Sequence, residues 1–193
     1  MKRVCVFCGS NMGLKPIYAE SAKKLGKALV ERNLELVYGG GRVGLMGVIA
    51  ETVLELGGTA IGIIPESLAK KEIAYHGLNE LIVVESMHKR KAMMEEFSDG
   101  FIALPGGFGT FEELCEMVTW GQLGFHRKPC GILNIDGFYD PLIQLFDEST
   151  SEGFIRSEHR ETVLIEAEPE KILLQMEEYI PPVLPKWLDK DES

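Results

Sequence analysis

Residues 100–113, GFIALPGGFGTFEE, join an apolar run, a glycine-rich corner and a pair of glutamates in one short stretch. GFIAL has the composition of a buried strand, and the residues that follow, LCEMVTWGQL, have the spacing of an amphipathic helix. A glycine corner between a strand and a helix exposes backbone N–H groups at the positive end of the helix dipole, where phosphate or another anion can bind. The stretch therefore predicts an α/β fold with a binding site at this corner.

The same alternation of short apolar runs and longer amphipathic runs extends over most of the chain. The predicted strands are RVCVFC, LELVY, TAIGII, ELIVVE, GFIALP, PCGILNI and ETVLIE. The predicted helices are YAESAKKLGKALVERN, GLMGVIAETVLELG and residues 87–97, 110–123, 139–152 and 169–179. The strands look buried throughout and do not alternate in polarity, as in a parallel sheet that is covered on both sides. We predict an α/β, single-domain, Rossmann-like, doubly wound parallel sheet of about seven strands with helices on both faces.

Two segments stand apart from this alternation. Residues 1–180 carry the pattern and form the predicted domain, whereas residues 181–193, PPVLPKWLDKDES, form a proline-rich, charged tail. We expect that tail to run over the surface or to be partly disordered. The connection at residues 65–79 lacks clear periodicity and contains KKEIAYHG, which makes it a candidate active-site loop.

Composition limits the partners of the protein. The chain has 193 residues, 45% of them hydrophobic, and a formal net charge of -10. A field of this sign repels polyanions, so we do not expect a nucleic-acid binder, and a bound phosphate requires a local positive patch. No apolar run approaches the length of a membrane span, and the run before Gly9 is too short for a signal peptide. We expect a cytoplasmic protein without a membrane partner, whose cysteines stay reduced.

The four cysteines include a CxxC at Cys5 and Cys8, a spacing found in redox pairs and zinc sites. Within the strand-like run VCVFC these residues face opposite sides and lie roughly 10 Å apart, at ~3.3 Å per residue. A disulfide bridges at most ~7 Å between α-carbons. Cys115 and Cys130 have no Cys or His nearby at ligand spacing. We predict that all four are small, buried, apolar residues.

Three predicted strands end in glycine-rich corners, and ligands of a parallel sheet bind beyond these carboxyl ends. The corners are CGSN at 8–11, YGGGRVGLMG at 38–47 and PGGFGT at 105–110. The second contains a GxGxxG through Gly39, Gly41 and Gly44, but it follows the second strand, whereas a dinucleotide fingerprint occupies the first turn. NAD or FAD binding is therefore a weak alternative, and glycines required only for tight turns and close packing are another.

The glutamates after the third corner allow two interpretations. Thr110 and Glu113 have the spacing of a capping box, in which each side chain satisfies a backbone N–H of the other residue. Capping alone needs no PGGFG ahead of it. A run of glycines lets a ligand approach bare backbone, and Glu112 and Glu113 then supply carboxylates beside it. We favour this functional interpretation.

Positive charge stands at the start of one predicted helix, where it opposes the helix dipole. SMHKRKAMM places His88, Lys89, Arg90 and Lys91 in the first turn, which costs about 0.3–1 kcal/mol per group. Breaks of a local rule tend to mark functional positions, and an acidic protein needs such a cluster to hold a phosphate. A solvated basic face is the alternative. We expect His88 to be a hydrogen-bonding residue, because no second histidine stands at metal spacing.

Taken together, YGGGRVGLMG, MHKRK and PGGFGTFEE resemble the LOG family, the cytokinin riboside 5'-monophosphate phosphoribohydrolases, often mislabelled as lysine decarboxylases. The resemblance covers most of the chain, and every fixed position of the family's PGGxGTxxE is met. CGS near the start, TWGQLG and KPCGILNIDGFYD also look like family segments. The resemblance implies hydrolysis of the N-glycosidic bond of a purine nucleoside 5'-monophosphate, AMP or a cytokinin riboside 5'-monophosphate, to free base and ribose 5-phosphate.

The resemblance also implies roles for individual residues. Arg90 and Glu113 match the family's catalytic pair. By similarity the nucleotide is contacted by Glu72, Lys91, Gly107, Phe108, Gly109, Thr110, Phe111, Glu112 and Thr119, with Ser10 and Gly40 as further candidates. The implied partners are a small-molecule nucleotide and a second copy of the chain, in a homodimer with the site near the interface. No metal or redox cofactor is implied.

The chemistry of these residue types fits that reaction on independent grounds. Breaking a ribosyl C–N bond builds positive charge on the sugar, and a fixed carboxylate such as Glu113 stabilises that charge or activates water. Arg90 stays protonated and cannot act as a base, but it can clamp phosphate or stabilise the departing base. The backbone and hydroxyl of residues 107–110 would hold the 5'-phosphate.

Two other functions stay open at this level. A lysine decarboxylase needs pyridoxal phosphate on a Schiff-base lysine, for which the sequence offers no convincing candidate. A non-catalytic nucleotide or cofactor carrier is the second alternative, because molybdenum-cofactor carrier proteins share the fold and the glycine-rich loop. Glu113 at the loop favours catalysis over carriage.

Overall fold

The computed structural model describes residues 1–69 and 74–182, and within these ranges it contains one parallel sheet of seven strands. The strands are β1 Arg3–Phe7, β2 Glu35–Tyr38, β3 Ala60–Pro65, β4 Glu80–Val84, β5 Gly100–Ala103, β6 Cys130–Leu133 and β7 Val163–Glu166. Their order across the sheet is β4-β3-β2-β1-β5-β6-β7. The predicted parallel α/β sheet is therefore confirmed, strand by strand.

The connections between strands are helical, as the periodicity predicts. The helices are α1 Pro16–Glu31, α2 Gly44–Glu55, α3 Glu66–Ala69, α4 Met87–Glu96, α5 Phe108–Gln122, α6 Asp140–Ser151, α7 Ser157–Arg160 and α8 Pro169–Glu178, with a 3-10 turn at Ile135–Gly137. The six long helices agree with the prediction to within two residues at each end. The one-turn helices α3 and α7 were not predicted, because four residues are too few to show a helical period. Helix α3 lies in the connection at residues 65–79 that the sequence analysis read as a loop.

Helices cover both faces of the sheet. On β1, Val4 and Val6 pack into the core under α1, α2 and α8, while Cys5 and Phe7 pack into the core under α4 and α5. Successive residues of a strand point to opposite faces of the sheet. The residues on both faces of β1 are therefore buried only because helices cover both faces. The edge strand β4 departs from the prediction of buried strands, since Val83 is half exposed and only Val84 of this strand is buried.

The four cysteines are free thiols, as predicted. Cys5 and Cys8 belong to the cores on opposite faces of the sheet, and Cys130 is also buried. Cys115 is only partly buried, so the prediction of four buried cysteines is wrong at this position.

The strand order brings the three glycine corners together at one crevice. The chain proceeds from β1 to β2 on one side, and β5 pairs with β1 on the other, so the sheet has its topological switch point between β1 and β5. The N–H of Gly9 donates to the carbonyl of Pro105 at 3.1 Å, and the N–H of Leu45 donates to the carbonyl of Gly9 at 3.0 Å. The corners after β1, β2 and β5 are thus directly linked.

Two further predictions concern the C-terminal tail and membrane-spanning segments. Most of the predicted tail, from residue 183 onward, lies outside the described residues. None of the helices found in residues 1–69 and 74–182 combines the length and the apolar character needed to cross a bilayer.

Candidate active site

An ion pair between Arg90 and Glu113 lies at the centre of the candidate site. Arg90 is in the first turn of α4 and Glu113 in the second turn of α5, and Nη2 of Arg90 donates to Oε1 of Glu113 at 2.9 Å. The side chains are 10% and 9% exposed. Nε of Arg90 is buried and has no hydrogen-bond partner among the described residues. The predicted catalytic residues, 23 positions apart in sequence, are in direct contact.

The glycine after β2 makes room for this arginine. A Cβ on Gly39 would collide with Nη2 of Arg90. Gly41 pairs with Ala74 in an isolated antiparallel bridge, and Gly44 lies against the backbone of Ser10. All three glycines of the GxGxxG therefore pack against the protein's own chain, which favours the packing interpretation over dinucleotide binding.

Lys91 is turned away from solvent and toward two glutamates of α5. Its Nζ contacts Oε1 of Glu112 and lies 3.0 Å from Oε2 of Glu116. Within the basic run, His88 and Lys89 are exposed, whereas Arg90 and Lys91 are buried. The run is therefore neither a solvated basic face nor an open patch of four cations, because its two buried members are already paired with carboxylates.

The start of α5 differs from the predicted capping box. The helix begins at Phe108 with Gly107 as its N-cap, so Thr110 lies inside the first turn and does not cap. Glu113 turns to Arg90 on another helix rather than back to its own. The capping box, the alternative that the sequence did not favour, is therefore absent, because the local spacing of Thr110 and Glu113 does not show where the glycine corner ends. A Cβ built on Gly107 or Gly109 meets no atom within 4 Å apart from chain neighbours and the helix's own backbone, so there is open space beside both residues. The first N–H groups of any α-helix have no intrahelical acceptor and can bind an anion.

A cavity of about 270 Å³ opens between the corners after β1 and β5. Its lining comprises Gly9, Ser10, Asn11, Met12, Gly13, Tyr18, Leu45, Pro105, Gly106, Gly107 and Phe138. Ser10 and Gly107 are the two predicted site residues in this lining. Because the volume is just below the ~300–1,000 Å³ of typical ligand sites, the cavity suits part of a nucleotide and not all of it.

The remaining predicted residues of α5 take three different positions. Phe108 is 92% exposed beside the glycine corner. Phe111 packs against Phe138 and is part of the core. Thr119 is exposed two turns further along, where its hydroxyl donates to the carbonyl of Cys115 at 2.7 Å. The structure thus brings neither Phe111 nor Thr119 to the cavity.

Two predicted residues, Gly40 and Glu72, remain to be placed. Gly40 is buried, and its carbonyl accepts the N–H of Tyr75 at 2.9 Å. Glu72 lies outside the described residues. Gly40 does not line the cavity described above.

Sequence reasoning missed Glu116, Tyr18 and Phe138. Glu116 stands four positions after Glu112, a spacing that places both on one side of a helix and could have shown that they share a partner. Tyr18 and Phe138 reach the cavity from α1 and from the segment before α6. No local signal marks these aromatic residues, because ordinary core positions have the same pattern.

Burial and neighbouring charges set the protonation of the site. Burial raises the pKa of the Glu113 carboxyl above its ordinary value, while the guanidinium of Arg90 acts against that shift. Burial by itself would lower the pKa of Lys91, but the contacts with Glu112 and Glu116 outweigh it and raise the pKa. Burial also raises the pKa of the Cys8 thiol, which therefore stays neutral beside the ion pair.

Comparisons with known proteins identify the family of the chain. A family model described as "Possible lysine decarboxylase" matches residues 46–176. A protein of Oryza sativa subsp. japonica named "Probable cytokinin riboside 5'-monophosphate phosphoribohydrolase" is 52% identical over 92% of this chain and 79% of its own length. A cytokinin riboside 5'-monophosphate phosphoribohydrolase of Arabidopsis thaliana is 51% identical over 93% of this chain and 84% of its own.

A solved structure is similar in fold. The molybdenum cofactor binding protein from the phototrophic bacterium Rippkaea orientalis superposes with a TM-score of 0.70 over 92% of this chain and 97% of its own, at 21% identity. At that identity the similarity shows the fold alone. The identities near 50% and the matching family model show more, and the chain belongs to the LOG family, the family of the cytokinin riboside 5'-monophosphate phosphoribohydrolases.

Proposed function

We propose that this protein is an N-glycosyl hydrolase that cleaves a purine nucleoside 5'-monophosphate, AMP or a cytokinin riboside 5'-monophosphate, into free base and ribose 5-phosphate. The observation that carries the proposal is the buried contact between Arg90 and Glu113 at 2.9 Å, one helical turn beyond an open glycine corner. The relatives named as phosphoribohydrolases, about half identical over most of the chain, support the same reaction.

Glu113 is the group that acts at the anomeric carbon. The C–N bond breaks with its electron pair going to the base, and the ribose develops the positive charge of an oxocarbenium-like transition state. The ionised carboxylate stabilises that charge or accepts a proton from the water that adds to the anomeric carbon. In its buried position this carboxylate acts with little screening by solvent.

Arg90 holds Glu113 and stabilises negative charge. A guanidinium stays protonated, so its part is electrostatic. One of its N–H groups fixes the Glu113 carboxylate, and the buried Nε is not bonded by any described residue and can donate to the leaving base or to the phosphate. Removing one preorganised group of this kind typically lowers the rate by ~10²–10³-fold.

The corner after β5 binds the 5'-phosphate in this proposal. Open space lies beside Gly107 and Gly109 at the start of α5, where the first N–H groups of the helix and the positive end of its dipole favour an anion. The adjoining cavity of about 270 Å³ has room for a ribose phosphate, with the base placed outside it. A nucleoside without phosphate loses these contacts, so we expect it to be a poor substrate.

The geometry at Lys91 argues against a decarboxylase. A Schiff-base lysine must lose its proton to become a nucleophile, which requires a lowered pKa. Of the lysines in the described ranges, Lys91 alone is buried, and two carboxylates hold its ammonium and raise its pKa. An internal aldimine absorbs visible light, so a colourless protein that takes up no pyridoxal phosphate supports the hydrolase.

The deciding experiment is a chromatographic assay for free base. AMP, isopentenyladenosine 5'-monophosphate, other nucleoside monophosphates and adenosine are each incubated with the protein and with its Glu113→Gln variant. We expect free base and ribose 5-phosphate from a monophosphate, little from adenosine, and none above background with the variant. A carrier would bind AMP and return it unchanged, and this result would refute the proposal.

A homodimer and a cytoplasmic location are also part of the proposal. Met87 and Phe108 expose apolar surface at the starts of the two helices that carry Arg90 and Glu113, where a second copy could cover it. Light scattering at assay concentration tests the dimer, and a monomer with full activity would contradict it. Fluorescence microscopy of a tagged chain in its native cell tests the location.

A further inference from the structure

Tyr139 is the N-cap of α6, and its side chain contacts the residue that follows β5. We propose that Tyr139 is a positioning residue, whose hydroxyl holds the carbonyl of Leu104 and thereby fixes residues 105–107, the corner that binds the phosphate. The side chain of Tyr139 does not itself line the cavity. For the binding of phosphate at this corner, the inference rests on the function proposed above.

The hydrogen bond between Tyr139 and Leu104 is buried at both ends. The Tyr139 hydroxyl donates to the Leu104 carbonyl at 2.7 Å, and the two residues are 1% and 0% exposed. The residue pairs of β5 with β1 and with β6 end at Ala103, so this carbonyl lies beyond the regular pairing of the sheet. A buried carbonyl without a donor is costly. The hydroxyl therefore satisfies a carbonyl at the point where the strand becomes the corner.

The start of the corner is bonded on both sides of β5. The Leu104 N–H donates to the carbonyl of Phe7 in β1 at 2.9 Å, and the next residue, Pro105, has no N–H to donate. The Pro105 carbonyl accepts the N–H of Gly9, from the corner after β1, at 3.1 Å. Tyr139 supplies the contact from the side of β6. Without its hydroxyl, Leu104 and Pro105 keep backbone hydrogen bonds only toward β1 within the part of the chain that the structure describes.

Tyr139 is itself held in place by its neighbours. Its N–H donates to Oδ1 of Asn134 at 2.8 Å, and Nδ2 of Asn134 donates to Oδ1 of Asp140 at 2.7 Å. Its ring packs edge-on against Phe138, which lines the cavity, and against Phe111 of α5. Burial raises the pKa of the hydroxyl, which therefore stays protonated and donates. Phenylalanine would serve the ring packing equally well, so the hydroxyl is the group that the proposal concerns.

Tyr38, at the end of β2, provides a matched control for the loss of a buried hydroxyl. It is 0% exposed, and its hydroxyl has no hydrogen-bond partner among the described residues. Tyr38→Phe and Tyr139→Phe each remove one oxygen from a buried ring, but only Tyr139→Phe breaks a hydrogen bond of the described structure. We expect Tyr139→Phe to lower the midpoint of urea denaturation and Tyr38→Phe not to lower it.

The test of positioning measures ligand binding and the corner itself. Tyr139→Phe is compared with the unchanged residue, both in the Glu113→Gln background so that bound AMP is not consumed. Calorimetry gives the Kd of AMP and of adenosine, and ¹⁵N NMR gives the amide resonances of Gly106 and Gly107. We expect the Kd of AMP to rise about three- to tenfold, as for one lost hydrogen bond, and that of adenosine less than about twofold. The two amide resonances should move, while that of Gly57, between α2 and β3 at the opposite edge of the sheet, should not.

Kinetics distinguish a displaced corner from a general loss of structure. In the chain with Glu113 intact, Tyr139→Phe should raise KM for AMP by a similar factor and change kcat less than about twofold. The reason is that the hydrogen bond at Leu104 does not involve Arg90 or Glu113. A purely structural role would lower the urea midpoint and leave the ratio of the Kd values for AMP and adenosine unchanged.

The inference would be overturned if the Gly106 and Gly107 resonances did not move, if the Kd of AMP did not change, or if AMP and adenosine weakened equally. If Tyr139→Phe fails to fold, Asn134→Ala is the second test, because it removes the acceptor of the Tyr139 N–H and should produce the same changes. Unmoved resonances in that variant would refute the proposal.

The outcomes also separate this inference from the proposed function. An unmodified chain that binds AMP without hydrolysing it would refute the function, while the Kd values and the NMR spectra would still decide the role of Tyr139. A chain that does not bind AMP would refute both.

Discussion

The glycine-rich corners after β2 and β5 look alike in sequence and differ in what lies opposite them. After β2, Gly39 backs onto the guanidinium of Arg90 and Gly44 onto the loop after β1. After β5, Gly107 and Gly109 face open space at the start of α5. Glycine in the first corner lets protein approach protein, and in the second it leaves room for a ligand. A glycine motif therefore indicates a close approach of backbone, but it does not tell which partner makes the approach.

The largest expected effect comes from the ion pair that lies between these corners. We expect Glu113→Gln and Arg90→Ala each to lower kcat for AMP by at least ~10²–10³-fold, because each removes a preorganised charge that acts on the transition state. Glu178→Gln, an exposed glutamate at the end of α8, is the matched control and should keep full activity. Circular dichroism should show folded protein throughout. Full activity in both Glu113→Gln and Arg90→Ala would contradict the catalytic roles proposed for these two residues.

The comparison itself is tested by one alanine in each corner. Gly39→Ala places a methyl group against Arg90, so we expect a loss of about 1–3 kcal/mol in the free energy of unfolding and a fall in kcat. Gly107→Ala meets no atom within 4 Å apart from chain neighbours and the helix's own backbone, so its cost should be limited to the loss of a favoured N-cap residue, at most ~1 kcal/mol. It should instead raise KM for AMP, because the methyl group occupies the space of the phosphate. Urea denaturation measures the unfolding free energy of each variant, and steady-state kinetics measure its kcat and KM. If the two variants changed these quantities equally, the proposed difference between the two corners would be contradicted.

The pH dependence of the reaction should report the burial of Glu113. Hydrolysis needs the ionised carboxylate, and burial raises its pKa, so activity should decline on acidification at a higher pH than an ordinary glutamate would give. Arg90 favours the ionised form, so the residual activity of Arg90→Ala should decline at a still higher pH. A pH–rate profile of kcat measures this. An acid limb that is the same with and without Arg90 would contradict the pairing.

The last prediction concerns ligand binding to the open corner. The Glu113→Gln variant binds AMP in its folded state and not in its unfolded state. At a hundredfold excess over Kd, AMP should therefore add about 2.7 kcal/mol to the free energy of unfolding of this variant and raise its Tm by several degrees. Adenosine at the same concentration should produce a smaller rise, because it lacks the phosphate. Gly107→Ala in that background should reduce the effect of AMP. Scanning calorimetry measures the shifts, and equal shifts for AMP and adenosine would place the binding energy elsewhere.

The elements of this fold could be predicted from sequence because they rest on local patterns. Apolar runs such as VCVF and LELVY form strands, and amphipathic periods form the six long helices, since both depend on neighbours within a few residues. The corner at residues 105–110 could be located in the same way. The resemblance to a family then supplied Arg90 and Glu113 as a pair, without showing how they meet.

The tertiary structure decided the contacts between residues that are distant in sequence. The position of β1 between β2 and β5, the fit of Gly39 to Arg90 and the burial of Lys91 between two glutamates all join segments that no local period connects. The capping box at Thr110, the alternative that the sequence did not favour, is absent for the same reason, because Glu113 contacts a buried arginine on another helix rather than the N–H groups of its own. Sequence thus determined which charges and glycines the chain carries. Packing determined which of them face one another and which face open space, because burial depends on the whole fold.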